Sequence, residues 1–422
     1  MSKSLLIINY NFPPTPGIGG RRWAKFTKYL AKDGYELFVI GALNREAKKS
    51  AWSADVENND RIHYFPVKTK FFNFFHNYSP TFLNKVAYKL SKFRLELFSK
   101  GNFYDKAIAS NQLFYKTAKE LITANSINNI VITIAPNRLV EVGLQLKKDF
   151  PNINLMIDVR DPWNICNEEW DQKYLTTERK EYELTIEKKA LQAANKVFTV
   201  SDFITDHYAS LFSSEKKKFV TIPNGYDTDE VFASETNTSS NKERKKNIVF
   251  AGTLYDNVTN GFEEFVIAVN ELTAEMPEIF SDIQFQFYIH HLPQFEKIVS
   301  DHKCKSVHFF DHLPLSKIQE VISQSYACML FLSPNYEFSL STKFFEYLSK
   351  NKKILVFSKP GSTPDLIQKN NLGYVMTPST IKKDLHNAIT ELAGGKYNSP
   401  HTFDIGSYTI ENITNSLKQY FI

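Results

Sequence analysis

The chain has 422 residues, longer than one ordinary domain and suited to two of about 200 residues each. With 42% hydrophobic and 23% charged residues it is a globular sequence with material for two cores, which excludes a disordered chain. Fifty-one basic against 46 acidic residues leave a net charge of +5, too balanced for a nucleic-acid binder covered in cations.

Leu5–Tyr10 is a continuous apolar run of the kind found in a parallel strand covered on both faces. The loop NFPPTPGIGG follows, stiffened by Pro13, Pro14 and Pro16. Trp23, Phe26, Leu30 and Ala31 then recur at helical spacing, Gly34 stands where a helix stops, and Glu36–Ile40 is the next strand. This βαβ pattern predicts a parallel sheet with a right-handed crossover. Further strands are predicted at Ile130–Ile134, Leu155–Asp158, Val197–Val200 and Phe219–Ile222. A second series runs through Ile248–Ala251, Ile283–Ile289, Val307–Phe310, Cys328–Leu332, Ile354–Phe357 and Gly373–Met376. Between the series lies Ser234–Lys246, polar and charged, as a surface loop near a domain junction. The expectation is two successive α/β halves.

The segment from Lys68 to Phe103 differs in character, because its cations alternate with Phe, Tyr and Leu. An amphipathic helix pair packed on the first sheet is the favoured reading; a basic aromatic face resting on an anionic membrane is the sharper one. Leu5–Ile8 is too short for a signal-peptide core, and no stretch approaches the roughly 18 apolar residues of a membrane span, so a cytoplasmic chain is expected. Cys166, Cys304 and Cys328 are far apart, which speaks against a disulfide scaffold or a cysteine-rich zinc site.

Four places carry candidate chemistry. In the first loop Gly17, Gly19 and Gly20 precede Arg21 and Arg22, a pattern that serves either an anion-binding approach or a tight strand-to-helix turn. It is not the G-x-G-x-x-G dinucleotide fingerprint. At the end of the fourth predicted strand of the first half stand Asp158, Arg160 and Asp161, where ligands bind in open α/β sheets, or where an Arg–Asp pair simply fixes a loop. Trp163 and Trp170 beside them are either a platform for a sugar ring or core. In the second half, Ser339 and Ser341 suit a helix start, while Lys343 and Glu346 lie three apart, near one helical face. That pair suits a phosphate and ribose hydroxyls, or is a solvated ion pair. The D-x-D triplet Asp227–Asp229 follows Pro223–Tyr226 at the domain junction, and no metal site is expected there or at the ten histidines.

Taken together, the chain resembles a GT-B glycosyltransferase of the family 4 (group 1) type over nearly its full length. The marks are FPPTPGIGGRRWAKFTKYLAKDGYELFVI, IDVRDPW, VFTVSDFI, IPNGYD, IVFAGTLY and KFFEYLSKNKKILVFS, in that order. The resemblance implies two Rossmann-like domains facing each other across a cleft. Residues 1–222, completed by 405–422, form an acceptor-binding domain, and residues 223–404 form a donor-binding domain. The Tyr408–Ile422 segment resembles the helix that crosses back to the first domain.

By resemblance, the donor is a nucleotide-diphosphate sugar, the acceptor is a saccharide or lipid-linked saccharide, and no cofactor is required. Gly19, Gly20, Gly252, Thr253, Ser341, Thr342, Lys343 and Glu346 are the implied donor-binding residues, with Glu346 on the ribose. Arg21, Arg22 and Trp163 are the implied acceptor side. The family's earlier Glu falls at Phe338, with Glu337 one residue off register. Its diphosphate-gripping Arg and Lys fall at Thr253 and Asn260. Lys343 is therefore the first choice for the missing cation, with Arg160 or the arginines after Gly20, Arg21 and Arg22, as the others, and Asp161 is the carboxylate for an acceptor hydroxyl. The implied activity is retaining, metal-independent sugar transfer in cell-surface polysaccharide or glycolipid synthesis; the sharper reading of residues 68–103 adds peripheral contact with the inner face of the membrane. The alternatives are a nucleotide-sugar epimerase of the same fold and an inactive transferase-like scaffold that binds a partner enzyme.

Overall fold

The residues that form continuous apolar runs in the sequence become the inner strands of two all-parallel sheets in the computed structural model of the chain. The structure describes residues 3–43, 49–69, 81–164, 175–230, 246–334, 336–395 and 403–422. Trp170, Cys166 and most of the Ser234–Lys246 loop lie outside them. Contacts divide the chain into two units, residues 1–223 with 410–422, and residues 224–409.

The first unit is built from β1 (Ser4–Ile8), α1 (Arg21–Lys32), β2 (Glu36–Ala42), β3 (Ile62–Val67), α2 (Phe82–Phe98), α3 (Asn111–Asn125), β4 (Asn129–Thr133), α4 (Val140–Asp149), β5 (Asn154–Val159), α5 (Thr177–Ala193), β6 (Lys196–Thr199), α6 (Asp202–Leu211) and β7 (Phe219–Thr221). Its seven strands run in the order β3-β2-β1-β4-β5-β6-β7. Every residue of β1, β4 and β5 is buried, because helices cover both faces of the sheet. Strand β3 is an element the sequence reading lacks. Ile-His-Tyr-Phe-Pro-Val is half-buried at the sheet edge, where Pro66 is tolerated and no continuous apolar run is needed.

The second unit comprises β8 (Lys246–Ala251), α7 (Thr259–Glu275), α8 (Pro277–Phe280), β9 (Ile283–Ile289), α9 (Pro293–Asp301), β10 (Val307–Asp311), α10 (Leu315–Gln324), β11 (Ala327–Phe331), α11 (Thr342–Leu348), β12 (Ile354–Phe357), α12 (Ser362–Lys369), β13 (Gly373–Met376) and α13 (Ile381–Ala393). Strand order is β10-β9-β8-β11-β12-β13. Much of the chain's phenylalanine fills its core: Phe250, Phe262, Phe265, Phe285, Phe287, Phe331 and Phe357 form one buried cluster. Within it Phe331 stacks on Phe357 at a centroid distance of 4.4 Å and meets Phe250 edge-on at 5.9 Å.

The last helix, α14 (Ile410–Leu417), belongs to the first unit. Ile410, Ile413 and Leu417 join the buried cluster of Trp23, Phe26 and Leu30 from α1. The terminal Ile422 carbonyl accepts from Asn129 Nδ2 at 2.8 Å, which ties the chain end to β4.

The region from Lys68 to Phe103 departs from the helix pair packed on a sheet. Residues 70–80 lie outside the described ones, and α2 has no buried residue along its 17 positions.

Candidate functional site

In an open parallel sheet, the gap that can receive a ligand lies where strand order reverses, beyond the carboxyl ends of the two central strands. In the second unit those strands are β8 and β11. Gly252, the first residue after β8, has φ +138°, a conformation that favours glycine, and a Cβ there would overlap Lys343 Nζ. Helix α11, which carries Lys343, is capped by Ser341, whose Oγ accepts from Phe344 N at 3.4 Å. Buried Tyr347 ties the same helix to the strand end, its hydroxyl accepting from Ala251 N at 3.2 Å.

Lys343 therefore crosses the end of β8, with Nζ 4.8 Å from the Phe250 ring centroid. Among the described residues no carboxylate lies within ion-pair distance of it. Desolvation lowers its pKa from the ordinary 10.5 to about 8, and the charge of Glu346, three residues on, works against that shift. A poorly solvated ammonium held against a glycine backbone is an arrangement for receiving an anion. Thr253 is exposed beside it, and Thr342 and Glu346 are partly exposed on α11.

The sequence marks Phe310–Pro314 and Asn260 as near the donor, but two features built around them depend on the fold. At the carboxyl ends of β9 and β10, Tyr288 stacks on Phe310 at 4.9 Å and His290 stacks on His312 at 4.5 Å. Alternation along β9 sends Phe285, Phe287 and Ile289 into the core and leaves Tyr288 and His290 on the other face. Phe310 remains 41% exposed, so the ladder offers an open aromatic surface. The second feature is a cavity of about 190 Å³ at the carboxyl ends of β11, β12 and β13. Phe331 and Phe357 form its floor, and Asn260, Ser358, Lys359 and Thr377 stand on its rim. Asn260 is one of the two positions where the resembling family carries a cation, and Lys359 brings one to the same cavity. Phe338 is buried at 2%, while Glu337 is partly exposed, its carbonyl accepting from Ser362 N at 2.7 Å.

In the first unit the reversal lies between β1 and β4, and the glycine loop follows β1. A Cβ at Gly20 would overlap the Asn11 carbonyl oxygen, so this glycine is required by the tight strand-to-helix turn itself. Arg21 is buried. Arg22 is buried too and turned inward: Nη2 and Nε meet the Asp158 carboxylate at 3.0–3.2 Å, and Nη2 and Nη1 donate to the carbonyls of Ile222 and Pro223. Trp23 Nε1 also donates to Asp158, at 2.8 Å. Arg22 and Asp158 thus lock α1, β5 and the segment after β7 together.

Arg160 and Asp161 pair with each other, Nη2 to Oδ2 at 2.5 Å, and both keep solvent access, 27% and 37%. Trp163 lies in the interior at 3% exposure, with Nε1 donating to Glu183 at 3.0 Å; this tryptophan offers no platform. Beneath it is a buried acid cluster absent from the sequence reading. Glu183 accepts from Asn102 N at 2.7 Å and Arg138 Nη1 at 3.2 Å, and Glu187 accepts from Asn164 Nδ2 and Tyr208 Oη. Asp105 accepts from the backbone of Arg138 and Ala107. Burial raises the pKa of all three carboxyls, that of Asp105 to about 6. The sequence signal was present: Glu183 and Glu187 occupy the same helical stripe as buried Ile186 and Ala190. The cluster fixes the loop after β5 and thereby Arg160 and Asp161. Asp227 of the D-x-D triplet is fully buried, and its carboxylate accepts from Asp229 N at 3.1 Å to form a turn.

No family model and no curated protein matches the sequence. Solved structures do. Sucrose-phosphate synthase from Thermosynechococcus elongatus is similar at 14% identity and a TM-score of 0.64, over 99% of this chain and 94% of that one. WaaG, a glycosyltransferase involved in lipopolysaccharide biosynthesis, is similar at 14% identity and 0.58, over 98% and 99%. The E. coli trehalose-6-phosphate structure bound with UDP-2-fluoro glucose is similar at 12% identity and 0.62, over 99% and 98%. These likenesses establish the fold: the chain is an α/β protein of the GT-B architecture, with two Rossmann-like units.

Proposed function

We propose that the protein is a glycosyltransferase that moves a sugar from a nucleotide-diphosphate donor to a hydroxyl of a saccharide or lipid-linked acceptor. The observation that carries this is Lys343, a desolvated ammonium held against Gly252 at the strand-order reversal of a Rossmann-like unit. Departure of a nucleoside diphosphate builds negative charge on the leaving oxygens, and a preorganised cation stabilises that charge most where water is scarce. Lys359, on the rim of the neighbouring cavity, supplies a second cation to the cavity that Asn260 also lines, Asn260 being where the family pattern carries one. Glu346 suits the ribose hydroxyls and the Tyr288–Phe310 ladder a base.

The second unit holds the donor and the first holds the acceptor. Asp161, oriented by Arg160 and accessible to solvent, is the carboxylate that polarises the acceptor hydroxyl. Retention and independence of metal rest on the family resemblance. The D-x-D carboxylate Asp227 is already committed to its own turn. The same resemblance, joined to the basic aromatic segment, supports a role in polysaccharide or glycolipid synthesis at the inner face of the membrane. No helix among the described residues is long and apolar enough to cross one.

The test is purified protein incubated with a panel of nucleotide sugars and saccharide or lipid-linked acceptors, with release of nucleoside diphosphate as readout. Release that requires acceptor is the expected result. Donor interconversion without acceptor would make it an epimerase, and failure to bind any nucleotide would make it a scaffold.

A further inference from the structure

Helix α2 is amphipathic the wrong way round for a packed helix. Its body-facing residues are half-buried and mostly small or polar: Asn84, Ala87, Tyr88, Ser91, Lys92 and Leu95. Lys92 lies over the Tyr104 and Phe103 rings, at 5.7 and 6.0 Å. The opposite face carries Phe82, Leu83, Val86, Leu90, Phe93 and Leu97, each between 40% and 79% exposed. At 3.6 residues per turn these six form one stripe about 100° wide along a helix of about 25 Å. Exposed cations flank the stripe, Lys85 and Lys89 on one side and Arg94 on the other. Glu96 is the only acid in the helix.

The helix is also firmly rooted. Thr81 caps its start, accepting from Asn84 N at 3.4 Å. At its end Arg179 donates to the carbonyls of Glu96, Ser99 and Gly101, and Arg138 donates to that of Lys100. Two guanidiniums from buried or half-buried positions thus hold out a helix whose apolar face is 40–79% exposed along its length.

We propose that α2 is a membrane-docking helix that lies flat on an anionic phospholipid surface, its Phe–Leu stripe in the headgroup–acyl boundary and Lys85, Lys89 and Arg94 on the phosphates. An apolar stripe edged by cations is the composition that binds in the interface plane, and its charge is complementary to anionic lipid and to no neutral surface. This deepens the membrane-side role proposed above, and it places an acceptor carried by lipid within reach of the first unit.

The test uses the full chain and sedimentation with vesicles of phosphatidylcholine alone or with about one-third phosphatidylglycerol. The anionic vesicles should bind the protein, neutral ones should not, and high salt should weaken binding. Replacing Lys85, Lys89 and Arg94 together by Gln should lower partitioning by roughly a hundredfold. Leu90→Ser with Phe93→Ser should abolish it, with the thermal midpoint unchanged, since neither side chain is buried. Vesicle binding indifferent to both variants, or no binding, overturns the proposal. A dimer that Leu90→Ser/Phe93→Ser dissociates, without vesicle binding, assigns the face to a second copy and overturns it as well. So does a lowered midpoint without vesicle binding, which would mean that another part of the chain covers the stripe. Nucleotide-sugar turnover with a soluble acceptor is measured in parallel: loss of docking with turnover intact leaves the transferase reading standing, and docking without any turnover leaves this one.

Discussion

Lys343→Met separates what the site costs from what it does. Folding lowers the Lys343 pKa from 10.5 to about 8, so the unfolded chain holds that proton more tightly. The charged form therefore destabilises the fold fully below about pH 8, and stability recovers as pH rises from about 8 towards 10.5. A lowering of that size corresponds to roughly 3 kcal/mol. Because the residue keeps some solvent access, about 1–3 kcal/mol is expected in practice. Methionine keeps the length and the contact with Phe250 without the charge. At pH 7 the variant should therefore be more stable than the parent by about 1–3 kcal/mol, which raises the midpoint of the second unit by roughly 2–10 °C. It should lose about 1.5–3 kcal/mol of nucleotide affinity, roughly ten- to a hundredfold in Kd. Calorimetric unfolding at pH 7 and pH 10 reads the first effect, where the gain should shrink at pH 10, and nucleotide titration reads the second. A variant less stable than the parent at pH 7, or one that binds nucleotide equally well, refutes the reasoning.

Other substitutions probe the neighbouring groups. Glu346→Ala should weaken nucleotide binding by about 1–3 kcal/mol in a titration, with the midpoint little changed. Gly252→Ala combines a positive φ with overlap on Lys343 Nζ, so it should displace the ammonium; weaker nucleotide binding than in the parent is the outcome to look for. Asp158→Ala leaves the Arg22 guanidinium buried without its carboxylate and should destabilise the first unit by about 3–5 kcal/mol in denaturant unfolding. Asp105 has its pKa raised to about 6, so its contribution is present at low pH and lost as pH rises through about 6. Asp105→Asn should flatten the fall in stability between about pH 4 and pH 6, read as thermal midpoints across that range.

The inner strands were legible because parallel strands buried on both faces must be apolar throughout, as in Leu5–Ile8 and Ile354–Phe357. Edge strand β3 was not, because most of its residues are only half-buried and Pro66 interrupts the pattern. Lys343, Gly252 and Glu346 could be named from their order along the chain. The overlap of a Gly252 Cβ with Lys343 Nζ could not, since it depends on Tyr347 joining α11 to the end of β8. The same limit applies in the first unit. A sequence shows that Arg22, Asp158 and Trp163 are polar or aromatic, but not that they face inward and satisfy one another. Nor does it show that Glu183 and Glu187 hold the loop that presents Asp161.

The most direct test of the central claim is a crystal structure of the protein with the nucleoside diphosphate that most raises its thermal midpoint. Diphosphate oxygens are expected within hydrogen-bond distance of Lys343 Nζ, beside Gly252. A diphosphate bound elsewhere, with Lys343 still lying over Phe250 and untouched by ligand, would contradict it.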